Sequence, residues 1–68
     1  MIPVESSNIA AIGHDIWSGT LTVAFLNESV YEYYHVPRSV YRDFLDADSK
    51  GGFHAREIRD HYDYRRIV

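Results

Sequence analysis

The chain has 68 residues, a formal net charge of −3 and no cysteine. That length holds one domain, excludes disulfides and cysteine-ligated metals, and leaves a core worth roughly 3–5 kcal/mol. The longest apolar run, Val23 to Leu26, is too short to span a membrane. Met1 to Ser7 has no positive charge and no long apolar stretch, so a secretory leader is not expected and the expected location is cytoplasmic.

In chain order, Ile9 to His14 reads as a first strand, and Asp15 to Gly19 as a loop closed by Ser18-Gly19. Thr20 to Leu26 alternates, with Leu21, Val23 and Phe25 on one face and Thr20, Thr22 and Ala24 on the other. Asn27-Glu28-Ser29 reads as a turn, and Val30 to Val36 as a third strand. A three-residue loop pairs Phe25 with Tyr31 and Val23 with Tyr33, keeping Glu32 off the apolar face. That register puts Tyr31 and Tyr33 in the core and leaves Tyr34 as the surface tyrosine; the alternative is a stacking platform of Tyr31, Tyr33 and Tyr34 on an RNA-binding sheet. Pro37 suits the first turn of a helix, and Val40, Tyr41, Phe44, Leu45 and Ala47 follow at helical spacing. Gly51-Gly52 is expected to end that helix, and Phe53 to Tyr62 to form a second one. Arg56 with Asp60, and Arg59 with Asp63, are spaced to pair across a turn. Tyr64 to Val68 reads as a short terminal strand or an ordered tail. The expected fold is a single α+β domain over residues 1–68. It has a three-stranded antiparallel β-meander with two helices packed on one face, a possible short C-terminal strand, and a core of Leu21, Val23, Phe25, Tyr31, Tyr33, Val40, Phe44, Leu45 and Ile58.

These residues in this order resemble the KTSC domain, which is named for its place at the C-terminus of some lysyl-tRNA synthetases and also occurs as free-standing bacterial or phage proteins. The resemblance rests on Ser6-Ser7-Asn8-Ile9, Ile12-Gly13-His14-Asp15 and Thr20 to Phe25. It continues through the Tyr-x-Tyr of Tyr31-Glu32-Tyr33, Val36-Pro37, Ser49-Lys50-Gly51 and Ile58-Arg59. Two departures are visible: a glycine-bearing turn would be more usual than Asn27-Glu28-Ser29, and His14 stands where an aromatic is common. The resemblance implies RNA binding only by analogy with the synthetase context.

The residues carry no nucleophile signature, and a chain this short encloses no deep catalytic pocket, so the protein is expected not to be an enzyme. His54, Glu57 and His61 lie at helical spacing, but their order matches no ligand motif; they read as solvated polar residues, and no metal or other cofactor is expected. The charge distribution is more informative. The first 37 residues hold four acids and no base, while five of the seven bases (Lys50, Arg56, Arg59, Arg65 and Arg66) fall in the last 19 residues. Ser49, Lys50, Gly51 and Gly52 precede a helix and could offer backbone donors to phosphate; the alternative is a plain helix–helix turn. Tyr34, Tyr62 and Tyr64 are placed to stack on bases. The expectation is a non-enzymatic domain that binds RNA or a small anionic nucleotide through Tyr34, Ser49, Lys50, Gly51, Gly52, Arg56, Arg59, Tyr62, Tyr64 and Arg65. The competing expectation is a protein-interaction module anchored by Trp17 and Tyr34. Trp17 could equally close the end of the core. Weak homo-oligomerisation is expected from the small size and exposed aromatics.

Overall fold

The computed structural model describes all residues, 1–68. Five strands form one antiparallel sheet in sequence order: β1 (Ile2–Pro3), β2 (Ile9–Asp15), β3 (Thr20–Phe25), β4 (Val30–Tyr33) and β5 (Tyr64–Arg66). Helix α1 (Arg38–Asp46) follows β4. Helix α2 (Lys50–Phe53) then runs straight into a π-helical segment, His54–Ile58. The fold is α+β as expected, but the meander has five strands rather than three with a possible short C-terminal fourth. The strand not read from sequence is β1, which pairs Ile2 with Ile12; β5, within the expected terminal strand at Tyr64 to Val68, pairs Tyr64 with Tyr33 and Arg65 with Glu32.

The third strand ends at Tyr33 rather than Val36, and the β3–β4 register is two residues from the expected one. Val23 faces Tyr31 and Leu21 faces Tyr33. The cause is the turn. The amide of Glu28 donates to the Phe25 carbonyl at 3.0 Å, and the amide of Phe25 donates to Ser29 at 2.8 Å, so the loop is Leu26-Asn27-Glu28. Glu28 takes a left-handed conformation with φ 72° to close it. A shift of two residues preserves the side-chain faces. Tyr33 is accordingly buried, at 2% exposure, and Tyr31 is half-buried beside it.

The core comprises Ile9, Ile12, Leu21, Val23, Tyr33, Val36, Phe44 and Ile58, with Val4, Phe25, Tyr31, Val40, Tyr41, Leu45, Phe53 and Tyr62 packed around it. Ile9 and Ile12 stand three apart, which in a regular strand would separate their faces. An irregularity in the β2–β3 ladder between Ile9 and Ala11 brings both inward. Val36 is held beneath the β2–β3 loop by its amide, which donates to the Gly19 carbonyl at 2.9 Å. The His14 ring stacks on Tyr41 at 5.2 Å, and its Nε2 donates to the Val36 carbonyl at 2.8 Å.

Gly51-Gly52 does not end the first helix; both glycines lie inside α2. Ser49 caps that helix, its Oγ accepting from the Gly52 amide at 3.0 Å. A side chain at position 51 would meet Asn8 Oδ1 at 2.7 Å, so Gly51 lets the helix approach the Ser6–Asn8 segment. The π turn closes through the Arg59 amide and the His54 carbonyl at 2.9 Å.

Candidate functional site

The strands and the second helix enclose one aromatic cleft. It holds about 300 Å³ and is lined by Phe25, Asn27, Ser29, Tyr31, Tyr33, His54, Arg59 and Tyr64. The β3–β4 hairpin contributes the first five of these, the π segment His54, the residue just after it Arg59, and β5 Tyr64. Tyr33 and Tyr64 are direct partners across β4 and β5, so both project to the helix-covered face. Their rings lie 5.8 Å apart, and Tyr31 stands 5.9 Å from Tyr64. Tyr64 is 58% exposed, leaving much of its ring open to solvent.

The deeper wall is polar but internally satisfied. The Tyr33 hydroxyl and His54 Nε2 are hydrogen-bonded at 2.7 Å. Burial pushes the Tyr33 phenol up to about 12, with the neighbouring phenols of Tyr31 and Tyr64 acting in the same direction and Arg59 opposing them. Burial also lowers the affinity of His54 for a proton, and the positive charge of Arg59 adds to this. Near neutral pH the pair is therefore uncharged. Arg59 is the one formally charged residue in the lining, and no aspartate or glutamate faces it there. Its contact with Asp60, at 3.8 Å between exposed side chains, is a weak tether.

Of the residues singled out from sequence, the structure brings Arg59 and Tyr64 together and disperses the others. Tyr34 points to the opposite side of the sheet, where its hydroxyl donates to Glu32 Oε1 at 3.1 Å. It shares a shallow depression with Tyr62, Asp60 and Asp63. Burial raises its phenol pKa first, and the Glu32 carboxylate adds to this. Ser49 and Arg56 lie in another depression with Asp43, Asp46 and Asp48. Lys50 folds back so that its ammonium donates to the Ala47 carbonyl, with Glu5, Asp46 and Asp48 nearby. Gly51 serves helix packing, as above, and the Gly52 amide donates to the Ser49 cap. Arg65 is paired in register with Glu32 on the sheet. The expected helical pairs of Arg56 with Asp60 and Arg59 with Asp63 do not form; the ion pair found is Arg59 with Asp60. His54 is no solvated residue but a buried one, while Glu57 and His61 are exposed, and no group of such side chains is gathered to hold a metal ion. Sequence reasoning missed Phe25, Asn27, Ser29 and His54 as members of a site. For His54 a signal existed: it lies four residues before the core residue Ile58, on the same helical face.

Trp17 does not close the core. It sits at the tip of the β2–β3 hairpin with 92% of its surface exposed, next to the exposed Ile16. No helix is long and apolar enough to cross a membrane.

Residues 5–62 match the family model of the KTSC domain. A protein of Tsukamurella paurometabola is 45% identical over 53 residues, covering 78% of this chain and 79% of that protein. A lysine–tRNA ligase of Nostoc sp. is 31% identical over 67 residues, which is 98% of this chain but only 12% of the ligase. The crystal structure of a KTSC domain protein from Yersinia pestis superposes with a TM-score of 0.94 at 35% identity, covering 97% of this chain and 93% of that one.

Proposed function

This chain belongs to the KTSC domain family, and we propose that it is a binding domain, not an enzyme, whose aromatic cleft takes a nucleotide unit of single-stranded RNA or a free nucleotide. The observation that carries this reading is the lining of the cleft: three tyrosines and one arginine, with no acid among them, in a chain of net charge −3. A base stacks on the open face of Tyr64 with Tyr31 beside it, and the Arg59 guanidinium meets the phosphate. A volume of about 300 Å³ suits a single base better than a duplex, and the overall negative charge disfavours a long polyanion. That a relative sharing this domain is named a lysine–tRNA ligase supports RNA as the ligand class. The ligand loop expected at Ser49–Gly52 is less favourable, because its serine and lysine are engaged within the protein and acids flank it. Against catalysis, the titratable pair in the cleft is buried, uncharged and self-satisfied.

Calorimetric titration with mononucleotides and short oligoribonucleotides at two salt concentrations tests the reading. Binding should weaken as salt rises. Tyr64→Ala should lose about 1–3 kcal/mol of affinity, and Arg59→Ala should flatten the salt dependence. Absence of binding at low salt would remove the proposal. A second reading, a protein-interaction module, is favoured by Trp17: a 92%-exposed indole beside Ile16 is the kind of anchor that protein interfaces bury. Both activities could coexist, since hairpin tip and cleft share no residue.

A further inference from the structure

The two edges of the sheet are not equivalent. Between β4 and β5, the Tyr34 amide donates to the Asp63 carbonyl at 2.9 Å and the Ile67 amide donates to the Val30 carbonyl at 2.7 Å. Antiparallel ladders alternate, so Arg65, midway between Asp63 and Ile67 and paired with Glu32, also turns its main-chain groups toward β4. Tyr64 and Arg66 therefore turn their N–H and C=O groups outward, to the free edge, where all of β5 is exposed. At the opposite edge the Val4 amide donates to the Ala10 carbonyl at 3.1 Å, so Pro3, paired with Ala11, is the residue turned outward. A proline has no N–H to offer, which closes β1 to a further strand. β5 has no such block.

Charge decides what pairs with the open edge. Arg65 and Arg66 project to opposite faces of the sheet. Glu32, opposite Arg65, accepts from the Tyr34 hydroxyl, and the ion pair found in the chain is Arg59 with Asp60. Arg66 lies over the Tyr31 ring at 6.0 Å and donates to the Val68 carbonyl, with no carboxylate side chain as partner. A second copy fits poorly. The register that joins Tyr64 of one copy to Arg66 of the other sets Arg65 against Arg65, and like charges directly opposite are destabilising. Pro3 excludes β1 of a second copy. We propose that the β5 edge takes up an extended acidic segment of a partner protein as a sixth, antiparallel strand. Two consecutive acids on that segment meet Arg66 on one face and Arg65 on the other, and an apolar residue follows opposite Tyr64. The contact is made by main-chain groups and these two arginines, and is independent of what the cleft binds.

The test is amide hydrogen exchange and calorimetric titration of the protein with a synthetic peptide containing Thr-Val-Glu-Glu-Val-Thr. Binding should slow exchange at the Tyr64 and Arg66 amides and leave Arg65, already bonded within the sheet, unchanged. N-methylation of the second valine, whose N–H faces Tyr64, should weaken binding roughly tenfold. N-methylation of the second glutamate, whose N–H points away from β5, should be tolerated. Glutamine in place of both glutamates should weaken binding roughly fivefold. Arg66→Pro removes an outward N–H and no bond of the sheet, so it should abolish binding with an unchanged circular dichroism spectrum; the methylated peptides carry the test should that variant not fold. Absence of peptide binding, indifference to the position of the methyl group, or slowed exchange at Arg65 in place of its neighbours would overturn the proposal. Protection of Tyr64 and Arg66 by an oligoribonucleotide and not by the peptide would assign the edge to phosphate and overturn it equally.

Discussion

At the scale of single residues, Tyr33 and His54 tie the sheet to the helical layer through one hydrogen bond whose two ends titrate in opposite directions. The folded Tyr33 phenol holds its proton more tightly than the ordinary value of 10.0, at about 12. Its contribution to stability is present below pH 10 and is lost as pH rises from 10 towards 12. The folded His54 binds a proton less readily than the ordinary value of 6.5, so the unfolded chain takes up the proton first. Its contribution is present above pH 6.5 and is lost as pH falls below that value. Thermal melts should show a plateau between the two limits with a fall on each side. In Tyr33→Phe the alkaline arm should shrink, and the loss of a partner for His54 Nε2 should cost about 1–3 kcal/mol. A flat profile in wild type would show that burial of the pair does not couple to folding. The inward position of Tyr33 was legible from the alternation of Thr20–Phe25 and the need to keep Glu32 out. The partner His54 was read as a solvated side chain, although its spacing of four from Ile58 put it on the buried helical face.

At the scale of elements, β2 and β3 were readable to within one residue at each end, and the irregularities within and beside them were not. β3 alternates and was placed within one residue. β2 carries an irregularity between Ile9 and Ala11 that breaks its period, so Ile9 and Ile12 did not register as one buried face. β1 is two residues long and includes a proline, too little to give a pattern. The glycine pair at 51–52 carries the sequence signal of a stop but lies inside α2, where Gly51 comes close to Asn8 and Gly52 to the capping Ser49 hydroxyl. The β3–β4 turn was displaced by one residue because Glu28, not a glycine, occupies the left-handed position. That substitution for the expected glycine has a measurable consequence. Relief of the left-handed strain, about 1–2 kcal/mol, exceeds the added chain entropy of glycine, about 0.5–1 kcal/mol. Glu28→Gly should therefore raise stability by roughly 0.5 kcal/mol, read as a higher urea midpoint with an unchanged slope. A lower midpoint would mean that the glutamate side chain contributes a contact outweighing its backbone strain.

At the scale of the whole molecule, charge and aromatic surface are segregated into separate regions. The bases concentrated after residue 49 do not form one patch. Lys50 and Arg56 sit among acids, Arg65 stands opposite Glu32, and Arg59 is left in an acid-free cleft. Sequence counting detected the basic tail but could not distribute it, because the distribution depends on how the second helix and β5 fold back onto the sheet. Trp17 lies at the hairpin tip, in a separate part of the surface. Its emission should be that of a hydrated indole, and Trp17→Ala should leave nucleotide binding unchanged while abolishing any binding of a protein partner at that tip or self-association detected by light scattering. Loss of nucleotide affinity in that variant would place the ligand elsewhere than the cleft. The most direct measurement is amide chemical-shift mapping of the isotopically labelled protein during titration with a short single-stranded RNA. Saturable shifts are expected at Asn27, Tyr31, His54, Arg59 and Tyr64, with Lys50, Gly51 and Trp17 unmoved. Shifts confined to Ser49–Gly52 or to the Trp17 hairpin, or no shifts at low salt, would contradict the assignment of the aromatic cleft as the binding site.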